Sequence, residues 1–311
     1  MKVVGLTEFG GPEVLRVLDL PAPEAGPGEI RIRVHAAAVN PVDALVRRGI
    51  AHVSDIEPPY VPGMDAAGVV EQIGEGTDTD LSVGDHVMAV VVVSGTHGAY
   101  AEHIVVPAES VVRVPAGMSD IEAATLPMNS LTARMALDLL DLPAGATLAV
   151  TGAAGAVGGY AVQVAKADGY RVIADAAPKD EQLVKDLGAD VVLPRGAEFQ
   201  ELVRKEAPDG VDGLIDTAGI AEQAIRAVRN GGRAVSSVRS AAGAGERGIV
   251  IHHTFVPRYA REHAKLVRLL QLAEEGRLMP RVGRTLPAEQ ATEAHRLLEA
   301  GGLRGRVVLT F

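Results

Sequence analysis

Apolar segments of two kinds alternate through the middle of the chain. Five short runs rich in Val, Ile, Leu and Ala read as buried strands, at residues 147–151, 170–174, 190–193, 211–216 and 233–238. Four intervening segments carry apolar residues at helical spacing, at residues 156–167, 179–187, 197–206 and 221–228. Strands that alternate with helices in this way predict parallel βαβ units, and therefore an α/β fold with a doubly wound Rossmann sheet.

The flanking regions have a different texture. Residues 1–115 contain short β-branched runs separated by Gly and Pro, which predicts a small β-rich domain. After helical patterns at 258–275 and 288–300, the chain closes with an apolar strand at 306–311, which we expect to return to the first domain. We therefore predict a β-rich domain from residues 1–115 and 280–311, and a dinucleotide-binding domain from residues 116–279.

Composition narrows the range of functions. The 311-residue chain has a net charge of -10 and no basic stripe, so nucleic acid is excluded as a partner. It has no cysteine, which removes disulfides and thiolate chemistry, so any redox chemistry must come from a cofactor. The N-terminus does not read as a signal peptide, and no uncharged stretch is long enough to cross a bilayer. We expect a cytoplasmic protein that has no membrane partner.

A glycine-rich turn carries the clearest chemical signal. The strand at 147–151 runs into Gly152, Ala153, Ala154, Gly155, Ala156, Val157 and Gly158, which open the next helix. Bare backbone at a strand-to-helix turn lets a pyrophosphate approach the unpaired N–H groups at the start of the helix. The spacing predicts a dinucleotide site, although a tight turn without a ligand is the alternative.

Further cofactor contacts are expected beyond the carboxyl ends of neighbouring strands. These candidates are Asp175, Lys179, Arg195, Thr217, Ala218, Gly219, Ser236 and Ser237. The Asp175 carboxylate would favour the ribose hydroxyls of NADH, whereas Lys179 or Arg195 could meet the 2′-phosphate of NADPH. Solvated surface charges and helix caps are the plain alternatives for these residues.

Several segments together resemble the medium-chain dehydrogenase/reductase superfamily, in its zinc-independent quinone oxidoreductase branch. They are AAAVNPVD at 36–43, PGMDAAGVV at 62–70, GDHV at 84–87, GAYAE at 98–102, AATLP at 123–127, the glycine turn, and GRVVL at 305–309. The resemblance implies that the β-rich domain is a GroES-like, partly open barrel and that the cofactor lies in the cleft between the domains. It also implies a homodimer, for which residues 247–251 offer a sheet edge.

The same resemblance suggests zinc-free chemistry. Zinc alcohol dehydrogenases of the superfamily take metal ligands from a Cys and a Gly-His-Glu sequence, where this chain has Asn40 and Gly63-Met64-Asp65. The family pattern implies that Asn40 lies near the nicotinamide, where its amide could donate to the substrate oxygen. Turn building before Pro41 is the alternative role for Asn40. Asp43 and Tyr60 are further catalytic candidates, and Thr125 is a further cofactor contact.

These features predict NADPH-dependent hydride transfer to a small-molecule quinone or α,β-unsaturated carbonyl compound, with NADH as a second option because of Asp175. Two alternatives stay open. One is an enoyl reductase of a biosynthetic pathway, which has the same fold and a different substrate. The other is a non-catalytic dinucleotide-binding sensor, because a fold does not determine a function.

Overall fold

The computed structural model describes residues 1–51, 56–238 and 246–311. Within these ranges the strands are β1 (Lys2–Gly5), β2 (Arg16–Asp19), β3 (Glu29–Ala38), β4 (Asp65–Ile73), β5 (His86–Val90), β6 (His103–Pro107), β7 (Val111–Arg113), β8 (Thr147–Thr151), β9 (Arg171–Ala176), β10 (Val191–Pro194), β11 (Val211–Asp216), β12 (Val228–Ser236), β13 (Val250–His253), β14 (Val282–Pro287) and β15 (Arg306–Thr310). The helices are α1 (Pro41–Arg47), α2 (Asp120–Ala123), α3 (Pro127–Leu140), α4 (Ala156–Ala167), α5 (Glu181–Asp186), α6 (Phe199–Glu206), α7 (Ala221–Ala224), α8 (His263–Glu274) and α9 (Ala291–Ala300).

The chain folds into two compact units. One comprises Met1–Met128, Ala260–Glu274 and Met279–Phe311, and we call it the β-rich unit. The other comprises Asn129–Tyr259 and Glu275–Leu278, and we call it the parallel-sheet unit. This division differs from the predicted boundaries because α2 packs on β3, β4 and β5, and α8 packs on β7. Both helices therefore belong with the β-rich unit.

The parallel-sheet unit contains a six-stranded sheet in the order β10-β9-β8-β11-β12-β13, with every neighbouring pair parallel. This is the doubly wound order in which the strand sequence reverses beside the first strand, here β8. Leu148, Ala149 and Val150 are fully buried, as expected for a strand covered on both faces. The predicted α/β class is confirmed.

One predicted boundary in this sheet was wrong. We expected a helix to residue 228 and a strand from 233; helical structure does extend to Ala227, through a 3-10 helix after α7, but β12 already begins at Val228. The register along β11 shifts between Val211 and Gly213, so Val228 pairs with Val211 and Arg233 with Gly213. Residues 229–232 form the irregular part of the strand. Within this part, Gly231 and Gly232 gave the sequence the pattern of a loop between two elements.

The β-rich unit contains a seven-stranded sheet that includes the C-terminal strand, and a separate two-stranded sheet formed by β1 and β2. The main path of the seven-stranded sheet is β14-β15-β3-β4-β5-β7, and β6 also pairs with β3. The C-terminal strand β15 pairs antiparallel with β3, with Val308 opposite Ala38, so the predicted return of the last strand is confirmed. Ile30, Ile32 and Val34 alternate into the core along β3. Among the described residues, no helix is both long and apolar enough to span a bilayer.

Candidate dinucleotide and substrate site

The glycine turn lies between β8 and α4 in the parallel-sheet unit. Gly152 has φ +71°, and a Cβ added to it would lie 2.4 Å from Thr217 Oγ1. A Cβ on Gly158 would lie 2.3 Å from the Gly152 carbonyl oxygen. The turn closes through a 2.8 Å hydrogen bond from Gly155 N–H to Gly152 O, and Gly155 then caps α4. Two positions therefore require glycine, and Ala156 and Val157 present first-turn N–H groups that have no acceptor within the helix.

A buried carboxylate that we had not singled out organises the neighbouring loop. Asp216, the last residue of β11, accepts hydrogen bonds from Thr151 Oγ1 at 2.6 Å and from the N–H groups of Ala218 and Ile220 at 3.1 and 3.2 Å. Thr217 Oγ1 donates to Thr151 O at 2.7 Å. Asp216 thus fixes the loop of Thr217, Ala218 and Gly219 beside the glycine turn. Its polarity at the end of an apolar strand was the available sequence signal.

The two serines at the end of β12 behave differently. Ser236 Oγ lies 3.3 Å from Asp216 Oδ2 and donates to Val238 O at 2.6 Å, so its hydroxyl is occupied within the fold. Ser237 Oγ is buried and has no hydrogen-bond partner among the described residues. Of the pair, Ser237 is therefore the one whose hydroxyl can bind a ligand.

Asp175 at the carboxyl end of β9 is buried and already engaged. Its Oδ1 accepts from Ala153 N–H at 3.1 Å, and its Oδ2 lies 3.2 Å from Arg195 Nε. The carboxylate predicted to bind ribose therefore also holds the glycine turn and is paired with a cation. The Arg195 side chain is 45% exposed, and Lys179 is exposed beyond the same end of β9.

Asn40 lies between β3 and α1 in the β-rich unit and is fully buried. Its Nδ2 donates to Asp65 Oδ2 at 2.9 Å and to Ala38 O at 3.3 Å, while its Oδ1 has no partner among the described residues. The reverse orientation would place Oδ1 against two acceptors, so the network fixes the amide. The atom of Asn40 that has no partner among the described residues is therefore an acceptor, whereas the sequence suggested a donor, and the role of Asn40 toward a substrate stays a prediction.

Asp65 and Arg306 form a buried ion pair beside Asn40. Arg306 Nη2 lies 3.0 Å from Asp65 Oδ2, and the guanidinium also donates to the carbonyl of Val39. Met128 N–H donates to Asp65 Oδ1 at 2.6 Å. Burial raises the pKa of the Asp65 carboxyl, and the Arg306 guanidinium opposes that shift. The positive charge of Arg306 therefore already lies beside Asp65 in the β-rich unit.

Asp43 is fully buried in the first turn of α1. Its carboxylate accepts from Asn40 N–H at 2.7 Å, Gly63 N–H at 3.0 Å and Tyr100 Oη at 3.0 Å. Burial raises the pKa of Asp43 to about 6, and these three donors oppose the shift. The carboxylate holds the backbone of Asn40 and Gly63 in place. Its geometry fits a positioning role, in contrast to the catalytic role expected from sequence.

A chain of side chains extends from Asp43 through the unit. Tyr100 Oη lies 3.2 Å from His295 Nε2, and His295 Nδ1 lies 3.2 Å from Arg47 Nη1. Arginine only donates, so His295 accepts at Nδ1 and carries its proton on Nε2. Burial lowers the pKa of His295 to about 3, which keeps it neutral. Arg47 therefore donates to His295, His295 donates to Tyr100, and Tyr100 donates to the Asp43 carboxylate.

The two remaining candidates are committed to local contacts. Tyr60 Oη donates to Ile56 O at 2.7 Å, and its ring stacks on Phe9 at 5.0 Å. Thr125 Oγ1 donates to Glu122 O at 2.7 Å and accepts from Arg281 N–H at 3.2 Å. No hydrogen bond joins Tyr60 to Asn40 or Asp43 in the part of the chain that the structure describes. A catalytic role for Tyr60 therefore has no support from these contacts and stays a prediction.

Two family models match the chain. The alcohol dehydrogenase GroES-like domain matches residues 26–116, and the zinc-binding dehydrogenase model matches residues 187–309. The first lies within the β-rich unit, and the second begins in the parallel-sheet unit and ends near the C-terminus.

Similar proteins cover the whole chain. It is 30% identical to an "NADPH-dependent alkenal/one oxidoreductase, chloroplastic" of Arabidopsis thaliana, over 99% of this chain and 79% of that protein. It is 28% identical to a "quinone oxidoreductase" of Sus scrofa, over 99% and 97% of the two chains. A crystal structure described as an NAD-dependent alcohol dehydrogenase superposes with a TM-score of 0.88 at 34% identity, over 100% of both chains.

Proposed function

Because the chain belongs to the medium-chain dehydrogenase/reductase superfamily, we propose that it is a nicotinamide-dependent oxidoreductase. Its proposed substrate is a quinone or the C=C bond of an α,β-unsaturated carbonyl compound. The names of two relatives, an alkenal/one oxidoreductase and a quinone oxidoreductase, support this substrate class. The observation that carries the proposal is the Asn40–Asp65–Arg306 cluster, in which a hydrogen bond and an ion pair connect the three buried side chains.

This cluster does not fit a zinc ion. Zinc takes thiolate, imidazole or carboxylate ligands in a tetrahedron, and the chain has no cysteine. The Asp65 carboxylate is paired with Arg306, whose guanidinium would repel a divalent cation at 3.0 Å from that oxygen. We therefore propose a reaction without Lewis-acid assistance at Asn40.

The parallel-sheet unit fits a dinucleotide. The glycine turn leaves backbone N–H groups at the start of α4 for the diphosphate, and Ser237 offers an unpartnered hydroxyl at the carboxyl end of β12. When bound, the reduced nicotinamide supplies a hydride. In the β-rich unit, Asn40 Oδ1 has no partner among the described residues and can accept a hydrogen bond from a hydroxyl or amide N–H of a ligand. Both Asn40 N–H bonds are occupied, so we assign the proton that completes the reduction to water.

We also propose that NADPH is the preferred cofactor. The Asp175 charge is paired with Arg195 Nε, and the Arg195 Nη groups have no hydrogen-bond partner among the described residues. A guanidinium held at Nε by a buried carboxylate keeps two Nη groups for a 2′-phosphate. The same pairing reduces the repulsion that a bare Asp175 carboxylate would exert on that phosphate.

The remaining proposal concerns assembly. Strand β13 lies at the edge of the six-stranded sheet, and Val250 in it is 50% exposed. An exposed β-branched edge can pair with a second copy and extend the sheet. We propose a homodimer through β13, for which sedimentation should give twice the mass of the chain. A monomer at micromolar concentration would contradict it.

The activity is tested by following nicotinamide absorbance with NADPH or NADH and a panel of quinones and enals. A parallel assay supplies NADP⁺ and simple alcohols. We expect oxidation of NADPH with at least one quinone or enal, and no change when a zinc chelator is added. Cofactor binding without oxidation across the panel would instead indicate a sensor. Loss of activity with the chelator and recovery with Zn²⁺, under conditions where circular dichroism shows that the chelator-treated protein is still folded, would contradict metal-free chemistry.

A further inference from the structure

Three side chains from separate elements of the β-rich unit converge on one point. His35 Nδ1 lies 2.6 Å from Asp120 Oδ2, and His86 Nδ1 lies 3.0 Å from Asp120 Oδ1. One ligand atom from each of the three residues lies within 4.8 Å of the other two. His35 belongs to β3, His86 begins β5 and Asp120 begins α2. The dehydrogenase site proposed above uses none of these three residues.

The fold holds each of the three residues in a defined position. On β3, Val34 pairs with Gly68 and Ala36 with Ala67, so His35 is the extra residue of a β-bulge. Bulges change the direction of a side chain relative to a regular strand. The backbone there is further fixed by a 3.2 Å hydrogen bond from Phe311 N–H to His35 O.

Asp120 is held equally firmly on its own element. Ser119 caps α2, with its N–H donating to Glu122 Oε2 at 3.0 Å and its hydroxyl accepting from Glu122 N–H at 3.3 Å. This reciprocal capping box fixes the first turn of the helix, and α2 packs against β3, β4 and β5. The carboxylate is thus presented to the two imidazoles by a rigid support.

Two imidazole nitrogens and one carboxylate oxygen are a common ligand set for divalent transition metals. Ligand atoms at about 2.0–2.2 Å from a shared Zn²⁺ lie at most about 4 Å apart, so the three groups would move only slightly to bind it. The His86 side chain is 60% exposed, which leaves further coordination positions to water. Each imidazole would then carry its proton on Nε2.

We propose that His35, His86 and Asp120 form a binding site for a divalent transition-metal cation. The bound ion ties β3, β5 and α2 together and stabilises the β-rich unit. The plain alternative is a pair of imidazole–carboxylate hydrogen bonds that bind no metal.

Zn²⁺ titration of untagged, full-length protein tests the proposal by calorimetry, with the melting temperature measured with and without the ion. The test variant is His86→Gln, because this residue is the most exposed of the three, and His35→Gln is the second. The matched control is His103→Gln. His103 Nδ1 lies 3.0 Å from Glu71, whose carboxylate also pairs with Arg31, and no third metal ligand joins this pair among the residues that the structure describes.

We expect the wild type and His103→Gln to bind one equivalent of Zn²⁺ and to melt several degrees higher with the ion. Each test variant should lose at least about tenfold in affinity, a change of about 1.4 kcal/mol, together with most of the thermal shift. Circular dichroism without metal checks that the variants are folded. The proposal would be overturned if the wild type does not bind Zn²⁺. It would also be overturned if Zn²⁺ binding is unchanged when both His35 and His86 are replaced.

Discussion

The glycine turn and the network around Asn40 provide binding groups in opposite ways. In the parallel-sheet unit the groups are backbone N–H donors, and the main requirement is that no side chain fills the space around Gly152 and Gly158. In the β-rich unit they are buried side chains that satisfy one another, with Asn40, Asp65 and Arg306 in one cluster. The glycine turn is disrupted when an added side chain collides with its neighbours. The buried network is destabilised when the loss of one side chain leaves the charge of another unpaired.

The largest expected effect comes from the buried ion pair. Asp65→Ala leaves the Arg306 guanidinium buried without its carboxylate and should lower the free energy of unfolding by about 3–5 kcal/mol. Urea denaturation measures this loss. The control is Asp19→Ala, which breaks the exposed pair with Lys2 and should leave the free energy of unfolding nearly unchanged. Equal effects of the two substitutions would show that burial does not distinguish these pairs.

Asp43 provides a pH-dependent test of the same network. Its pKa is raised from 3.8 to about 6 by burial, so the folded chain binds more protons than the unfolded chain between these values. The free energy of unfolding should therefore fall as the pH rises across this interval, by about 3 kcal/mol in total. Asp43→Asn has no titrating carboxyl at this position. The difference in the free energy of unfolding between wild type and variant therefore isolates the contribution of Asp43. A difference in the free energy of unfolding that does not change with pH would contradict the raised pKa of Asp43.

The next effect concerns the cofactor's charge. Arg195→Gln should weaken NADPH binding by about 10- to 100-fold, because a hydrogen bond to a charged group contributes about 1.5–3 kcal/mol. NADH binding should change little. Lys179→Gln, in an exposed residue beyond the same end of β9, is the matched control. If Lys179→Gln weakens NADPH binding and Arg195→Gln does not, the assignment belongs to Lys179.

The smallest effect separates backbone strain from crowding at the turn. Gly152 and Gly145 have similar φ values of +71° and +78°, but a Cβ would meet Thr217 at Gly152 and nothing within 4 Å at Gly145. Alanine at either position should cost about 1–2 kcal/mol of stability through the left-handed backbone, and at Gly152 the contact with Thr217 should add to this cost. Only Gly152→Ala should also weaken dinucleotide binding, which fluorescence titration measures. Unchanged binding in Gly152→Ala would place the diphosphate elsewhere.

The same contrast explains how much could be predicted from the sequence. The order of strands and helices and the glycine turn follow from local patterns, because a turn and its helix occupy neighbouring residues. The Asp65–Arg306 pair joins residues 241 positions apart, and no spacing rule indicates it. The orientation of the Asn40 amide depends on that pair, so the sequence could not indicate which amide atom of Asn40 is left without a partner among the described residues. The start of β12 was missed because its irregular segment contains Gly231 and Gly232.

The central claim is hydride transfer to a conjugated carbonyl compound, and isotope transfer tests it most directly. NADPH deuterated at C4 of the nicotinamide, in each stereochemical form, is incubated with the protein and an enone that it reduces. Mass spectrometry and NMR then locate the label in the product. The account predicts deuterium from one of the two forms at the β-carbon. A product that is reduced at the carbonyl carbon, or that has no deuterium from either form, would contradict it.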